Sequence, residues 1–486
     1  MVESLVLVVT AFAIGLAAAT VCMRLLLALI PEDMMARVPF LLGLSLNWRV
    51  LGFAVLLAFC AAGLFAASPF LSSSLRSMRD GLTEAGRGSS GTAWRRFGSN
   101  LVIAELAVAV VLLVAAGLLG KSLYRLLHVE LGFRADHLAT FEVAVPNAPY
   151  AKPEQQVAVA HKIAAQIEAV PGVKSVAFVS TLPVSCNCNT NWIRVVGQPY
   201  NGEHNEVNDR DVSPNYFSTV QAKLLRGRYF EASDDLTKPK YMIINESFAK
   251  KYFGAEDPIG KQIGDTQLTA KSLRQVIGVV EDIKDAGLDT ETWPAEYESF
   301  EQEPDTNYDV VVRTSSDSGS LMPSLVSAVR QVDVGIGVSN ELTMEQRITN
   351  SPAAYIHRSS SRLVASFAAV ALVLSVIGLY GVIAYSVSQR TREIGVRMAL
   401  GAEKASVYRL ILKEAGGLIA VGIVIGVVCS IGAAQLMRSL LFGVRGWDVP
   451  TLAGVAVTLA TCALLASVVP AHRAASVHPA EALRAE

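Results

Sequence analysis

The sequence predicts a polytopic α-helical membrane protein, with six spans and one large α+β domain outside the membrane. Three observations carry this. Hydrophobic residues make up 52% of the 486-residue chain and charged residues only 17%. The apolar residues gather into six long runs, and the basic residues alternate between the connecting loops. A net charge of −1 leaves no basic footprint for nucleic acid.

A helix crossing about 30 Å of hydrocarbon needs about 20 mostly apolar residues. The runs at 5–30, 51–70, 101–119, 363–387, 416–437 and 452–469 qualify. Their length and apolarity argue against buried core helices of a soluble protein. The first run contains Arg24 near one end, where a long side chain can snorkel. It has no basic region before it and is too long for a signal peptide, so it is expected to remain as a span.

Basic residues of short loops set orientation. The loop 71–100 carries Arg76, Arg79, Arg87, Arg95 and Arg96, and the loop after the fourth run carries Arg390, Arg392, Arg397, Lys404, Arg409 and Lys413. The tail carries His472, Arg473 and Arg484, whereas the loops 31–50 and 438–450 hold two arginines each. Alternation across six spans puts the three basic regions and both termini in the cytoplasm, and the segment between Gly120 and Ser361 outside.

That segment reads as mixed α and β. Val157, Ala160, Ile163, Ala164 and Ile167 recur at helical spacing, with Pro153 in the first turn and Gly172 after the end. Short β-rich runs follow at 176–179, 241–244, 276–280 and 310–312, with helix candidates at 246–253 and 321–332. The alternation suggests an α+β domain with room for two lobes. Scattered histidines, without an H-E-x-x-H pair or a G-x-S-x-G elbow, point to no catalytic or metal site. The many Asp and Glu residues lack regular spacing and read as solvated surface. Cys22, Cys60, Cys429 and Cys462 lie in apolar runs as small hydrophobes. Cys186 and Cys188 form a CxC whose bridge would be strained, which points to a structural or incidental role.

Residues 115–122 imitate a phosphate-binding loop, ending Gly120-Lys121-Ser122. Such a loop needs a strand before it and a helix after it. Here the stretch is the outer end of a span, facing the side without ATP, and Lys121 reads as an interfacial anchor. ATP would have to be handled by another subunit.

The loop 389–414 reads QRTREIGVRMALGAEKASVYRLILKE. Glu393 and Arg397 stand four apart, in the favourable order for a helical ion pair. Ile394, Met398 and Leu400 offer an apolar side, Gly401 can close the helix, and Ala405, Val407, Leu410 and Ile411 begin another. Such a helix can transmit force from a docked partner, or lie passively in the headgroups. Gly422 and Gly426, with Gly416, Gly417 and Gly432, mark a close-packing face against another span or subunit.

The stretch from Thr391 to Ala402 resembles the R-E-I-G-x-R-x-A-L-G-A signature of the FtsX-like, MacB-type permeases of ABC transporters. Leu379-Tyr380-Gly381-Val382 and Tyr385-Ser386-Val387 fit as well. The end, Pro470-Ala471-His472-Arg473-Ala474-Ala475 through Pro479-Ala480-Glu481-Ala482-Leu483-Arg484, is similar to that family's P-A-x-R-A-A … P-x-E-A-L-R. Val212-Ser213-Pro214-Asn215-Tyr216-Phe217, Leu225-Arg226-Gly227-Arg228, Ile244-Asn245-Glu246 and Asp257-Pro258-Ile259-Gly260-Lys261 resemble its periplasmic core domain. The resemblance covers 101–486, and the chain is most similar to a duplicated, acidobacterial-type orphan permease subgroup.

The resemblance implies a bacterial inner-membrane permease subunit of an efflux-type ABC transporter, without its own ATPase site and with no directly bound cofactor or metal. A cytoplasmic ABC ATPase would dock on Arg392, Glu393, Ile394, Gly395, Arg397, Ala399, Gly401 and Ala402. Motion would pass to the periplasmic domain as mechanotransmission, in company with a second permease unit, membrane lipids and a periplasmic adaptor as a further candidate. The alternative is a non-transporting regulator that activates periplasmic partners. The expected organisation is 1–100 as the last two spans of a truncated first unit plus linker, 101–120 as the first span of a second unit, 121–360 as the core domain, and 361–486 as the permease domain. Residues 1–100 echo the final two spans, with Pro69 and Arg76 answering Pro470 and the basic tail. This favours a fragment of a longer duplicated permease.

Overall fold

The computed structural model describes residues 9–10, 12–17, 20–21, 48–49, 51–56, 58–59, 90–400 and 403–476. The chain divides into two compact units, Met1–Gly98 and Ser99–Glu486. The described residues between 9 and 59 are helical. Most of the expected spans 5–30 and 51–70 falls outside the described residues, as do Gly401, Ala402 and the tail beyond Ser476.

Among the described residues, four helices are long and apolar enough to cross a membrane. The first, α1 (Ser90–Leu127), has an apolar stretch from Gly98 to Leu127. At 1.5 Å per residue, that stretch is roughly 45 Å long, well beyond the hydrocarbon thickness. Its inner part packs in the bundle through Leu106, Val110 and Leu118, and its outer end places Leu126 in the core of the outer domain.

The outer domain begins with β1 (Leu138–Ala144), α2 (Pro153–Glu168) and β2 (Val173–Val179). Pro153 opens α2 where its missing N–H is no loss, and Gly172 supplies the left-handed turn (φ 98°) before β2. Then come β3 (Thr190–Val195), β4 (Glu206–Val212), α3 (Tyr216–Val220), β5 (Leu224–Gly227), β6 (Tyr241–Asn245), α4 (Glu246–Tyr252), β7 (Gln262–Asp265), β8 (Arg274–Val280) and β9 (Ala295–Ser299). The domain ends with β10 (Asn307–Thr314), α5 (Ser318–Val332), β11 (Gly337–Thr343) and α6 (Met344–Thr349).

Two lobes result. In the first, the antiparallel order β11-β1-β10-β2 carries α2 and α5 on one face. Side chains alternate across it: Val310, Val312, Val176 and Phe178 meet Ile163, Ile167, Leu325 and Val329, while Val311, Ala177 and Val179 face the opposite core. In the second lobe the pairings β4-β3-β7-β8-β6-β9 return to β4, closing a ring. β4 and β9 run parallel, with Asp209 beside Glu296 and Asp211 beside Glu298. Ile193, Val207, Met242, Ile244, Phe248 and Val276 form a core there.

Ser351 caps α7 (Pro352–Gln389), again with proline in the first turn. The helix extends beyond the expected run 363–387 at both ends. After it come α8 (Thr391–Ala399), α9 (Lys404–Leu436), a 3₁₀ turn at Arg438–Leu440, and α10 (Val449–Ala475). Hydropathy averaging passed over one acid: Glu105 lies inside the α1 apolar stretch.

Candidate coupling site and the groups around it

α8 is a nine-residue helix held between α7 and α9. Ile394 is 3% exposed and packs with Val407 and Ile411 of α9 and Ala471, Ala474 and Ala475 of α10. Gly395 is buried, and Met398 packs partly against the same core. Leu400 does not join them, contrary to the sequence expectation: it is 83% exposed. Six residues at about 100° each carry it roughly 240° around from Ile394, to the opposite side of the helix. Val396 is exposed on that outer side, and so is Ala399. Glu393 Oε1 accepts from Arg397 Nη2 at 2.5 Å, with both side chains about half exposed. Arg392 belongs to this helix.

The surrounding polar contacts tie three helix ends together. Glu414 of α9 accepts from Arg390 Nη1 (3.3 Å) and from Ser386 Oγ (3.3 Å). Tyr408 of α9 shares a 2.6 Å hydrogen bond with His472 of α10, and Arg473 donates to the Tyr380 hydroxyl of α7 at 3.0 Å. The motif stretches containing Tyr380, Glu393 and Arg473 therefore surround one small core.

The glycines singled out in α9 meet α1. A Cβ on Gly422 would stand 2.7 Å from Leu106 Cβ, and one on Gly426 would stand 2.5 Å from Val110 Cβ. Close approach of α1 and α9 requires glycine at both. A Cβ on Gly416, Gly417 or Gly432 would meet nothing within 4 Å.

The imitation phosphate loop is continuous helix, with no strand before it. Lys121 Nζ lies 2.6 Å from Asp448 Oδ1. That hydrogen bond, reinforced by Thr451, holds the Asp448 carboxyl down at about 2. Asp448 also caps α10 by accepting from the Thr451 N–H. Lys121 thus joins α1 to the start of α10. Ser122 is fully buried, beside His357, and accepts from the Phe442 N–H.

In the outer domain, part of the acidic surface expected from sequence is interior. Asp209, Glu296 and Glu298 bring carboxylate oxygens within 4.8 Å of one another, a convergence that can hold a hard cation. Glu296 and Glu298 are 2% and 4% exposed. Asn191 donates to both Asp209 (2.9 Å) and Glu296 (3.1 Å), and Arg274 pairs with Glu298 at 2.5 Å and Glu303 at 3.2 Å. Burial, aided by the Asp209 charge, raises the Glu298 carboxyl to about 7 and that of Asp211 to about 8. Strand geometry brings these acids together: the parallel β4–β9 register stacks alternate acidic positions on one face. No sequence spacing reveals it.

Cys186 and Cys188 form a disulfide. Their Cα atoms stand 5.2 Å apart, within the ordinary range for a bridge. The same loop is pinned by Arg210, which is 1% exposed. Arg210 donates to the carbonyls of Cys186 (3.0 Å) and Cys188 (2.7 Å) and pairs with Asp285 at 3.4 Å.

Comparison with known proteins assigns both halves of Ser99–Glu486. Residues 100–332 match the MacB-like periplasmic core domain, and residues 365–479 match the FtsX-like permease C-terminal domain. A macrolide export ATP-binding/permease protein MacB of Hahella chejuensis is 28% identical over 342 residues, covering 68% of this chain and 50% of that protein. A protein of the same description from Bdellovibrio bacteriovorus is 28% identical, covering 57% and 43%. A pyoverdine export ATP-binding/permease protein PvdT of Pseudomonas syringae pv. syringae is 28% identical, covering 54% and 40%. The chain spans about half the length, or less, of these relatives. With both of its domains assigned, the chain belongs to the FtsX-like, MacB-type permease family.

Proposed function

We propose that this chain is the permease subunit of an ABC exporter, in which ATP hydrolysis by a separate cytoplasmic subunit moves the outer domain. The observation that carries this reading is mechanical. α7 runs without a break from the core of the outer domain, through Ala353 and Ala354, to the core beneath α8, through Leu379 and Ile383. At 38 residues it is roughly 57 Å long. α1 joins the same two cores, at Leu126 and Leu106.

A push on α8 therefore reaches the outer domain through continuous helix. α8 is built to receive one, with Ile394 anchoring it to the bundle and Val396 and Leu400 facing away beside the Glu393–Arg397 pair. On this reading Arg392, Ala399, Gly401 and Ala402 complete the ATPase contact, while the buried Gly395 lies with Ile394 on the bundle side. Export is the activity named for the relatives, and we extend it here to the assembled complex. Both termini are cytoplasmic, about 121–360 is periplasmic, and 5–30 and 51–70 add two spans to the four described. On this reading the working assembly includes a second permease unit.

The test is co-purification of the full chain with its cognate ABC ATPase from membranes, followed by ATP hydrolysis in liposomes. Stimulated hydrolysis should fall to near the ATPase's basal rate with Leu400→Asp, while the folded chain is retained. Unchanged stimulation in a well-folded Leu400→Asp chain would contradict the reading.

A further inference from the structure

Glu105 is the sole acidic or basic side chain in the apolar stretches 101–119, 363–387, 416–437 and 452–469. Four residues of helix rise, roughly 6 Å, separate it from the inner start of its stretch. Its carboxyl lies against α7 at Gly378. A Cβ there would overlap Glu105 Oε2 and come within 3.2 Å of its carboxyl carbon. One turn earlier on α7, the fully buried Ser375 donates its hydroxyl to the Glu105 carbonyl at 3.2 Å. The next residue on α1, Leu106, is locked to Gly422 of α9. The carboxyl is thus held by close backbone approach from α7, with the adjacent turn of α1 clamped from the other side.

Nothing polar among the described residues answers the carboxyl. It has no hydrogen bond or ion pair there. Three cations of the bundle are engaged elsewhere: Arg390 with Glu414, Lys121 with Asp448, and Arg473 with the Tyr380 hydroxyl. α7 meets it with a glycine and a serine, and α9 meets its neighbour with a glycine. An ionised carboxylate in hydrocarbon is strongly disfavoured without a partner, and taking up a proton removes the charge.

We propose that Glu105 is a proton-binding site in the seam between α1 and α7. With Gly378 packed against it, the carboxyl is neutral. When α7 moves away and water enters, it ionises and gives its proton to water. One O–H bond forms on closing and breaks on opening, so acid favours the closed seam. The site is independent of the ATPase reading, because it requires only the α1–α7 contact.

The experiment treats the full chain in neutral-lipid vesicles with dicyclohexylcarbodiimide. This lipid-permeant reagent takes the acid proton on nitrogen and the carboxyl oxygen on carbon, then rearranges to a stable acylurea with no leaving group. Peptide mass spectrometry should find the adduct at Glu105, falling on the order of tenfold per pH unit above the midpoint. A water-soluble carbodiimide should leave the site unmodified until Gly378→Ala displaces the carboxyl. Glu105→Gln should abolish the adduct. Absence of the adduct in wild-type chain that remains monodisperse and helical would overturn the proposal. So would labelling independent of pH, or protection by sodium at constant pH, which marks a metal-cation site.

Discussion

In the membrane bundle, close interhelical approaches are made by having no side chain. Gly422 and Gly426 admit α1, and Gly378 admits the Glu105 carboxyl. In the outer domain, charged side chains are taken inside. Arg210 and Asp285 are 1% and 5% exposed, and Glu296 and Glu298 lie between paired strands. The difference follows from the two solvents. Lipid gives apolar helices little reason to associate, so close backbone contact must do it. The outer domain has water as its alternative, so its apolar clusters supply the driving force. There, buried charges are tolerated only where guanidinium, amide and backbone carbonyl partners surround them.

The contrast can be broken most severely at Arg210. Asp285→Ala leaves the guanidinium buried without its carboxylate and should destabilise the outer domain by about 3–5 kcal/mol. The loss would be read by denaturant unfolding of the full chain in detergent, followed through a tryptophan signal at Trp192 or Trp293. Next comes Gly426→Leu, which overpacks the α1–α9 contact. A penalty of about 1–3 kcal/mol is expected, measured by loss of helicity in a denaturing detergent titration, with the outer-domain transition unchanged.

Titration sharpens the contrast further. The Glu298 and Asp211 carboxyls are raised to about 7 and about 8 in the folded state, above their ordinary unfolded values near 4. A carboxyl raised in this way binds more protons folded than unfolded. Its stabilising protonation is therefore fully present below the unfolded value and is lost as pH climbs through the folded one. The outer-domain melting temperature should drop by several degrees between pH 5 and pH 8, and Glu298→Gln should flatten that slope. A rise over the same range would contradict the burial account. The smallest effect is expected at α8. Replacing both Glu393 and Arg397 with alanine removes an exposed pair worth at most about 0.5 kcal/mol. Melting should hardly move, while stimulated ATP hydrolysis falls.

The same contrast decides what was legible in the sequence. The four described membrane helices could be read because apolar length is a one-dimensional property. The averaging that reveals it also hides a single acid such as Glu105. The glycine spacing of Gly422 and Gly426 was readable too, although the partner, α1, lies far away in the chain. In the outer domain, α2, α4, α5, β2, β6, β8 and β10 follow apolar periodicity. β4 (EVNDRDV) and β9 (AEYES) do not, because their buried positions carry charge. Reading those acids as solvated surface was reasonable residue by residue. It failed because a parallel register between strands distant in sequence removes them from water. At the candidate coupling site the signature marks α8, but only helix geometry separates inward Ile394 from outward Leu400.

The most direct test of how force enters is position-specific photocrosslinking along α8. A photoreactive residue at Leu400 or Val396, in native membranes, should capture the cytoplasmic ATP-binding subunit, while one at Ile394 should react only within the chain. Capture at Ile394 but not at Leu400, or reaction of Leu400 solely with reagents confined to the outer face, would contradict the account.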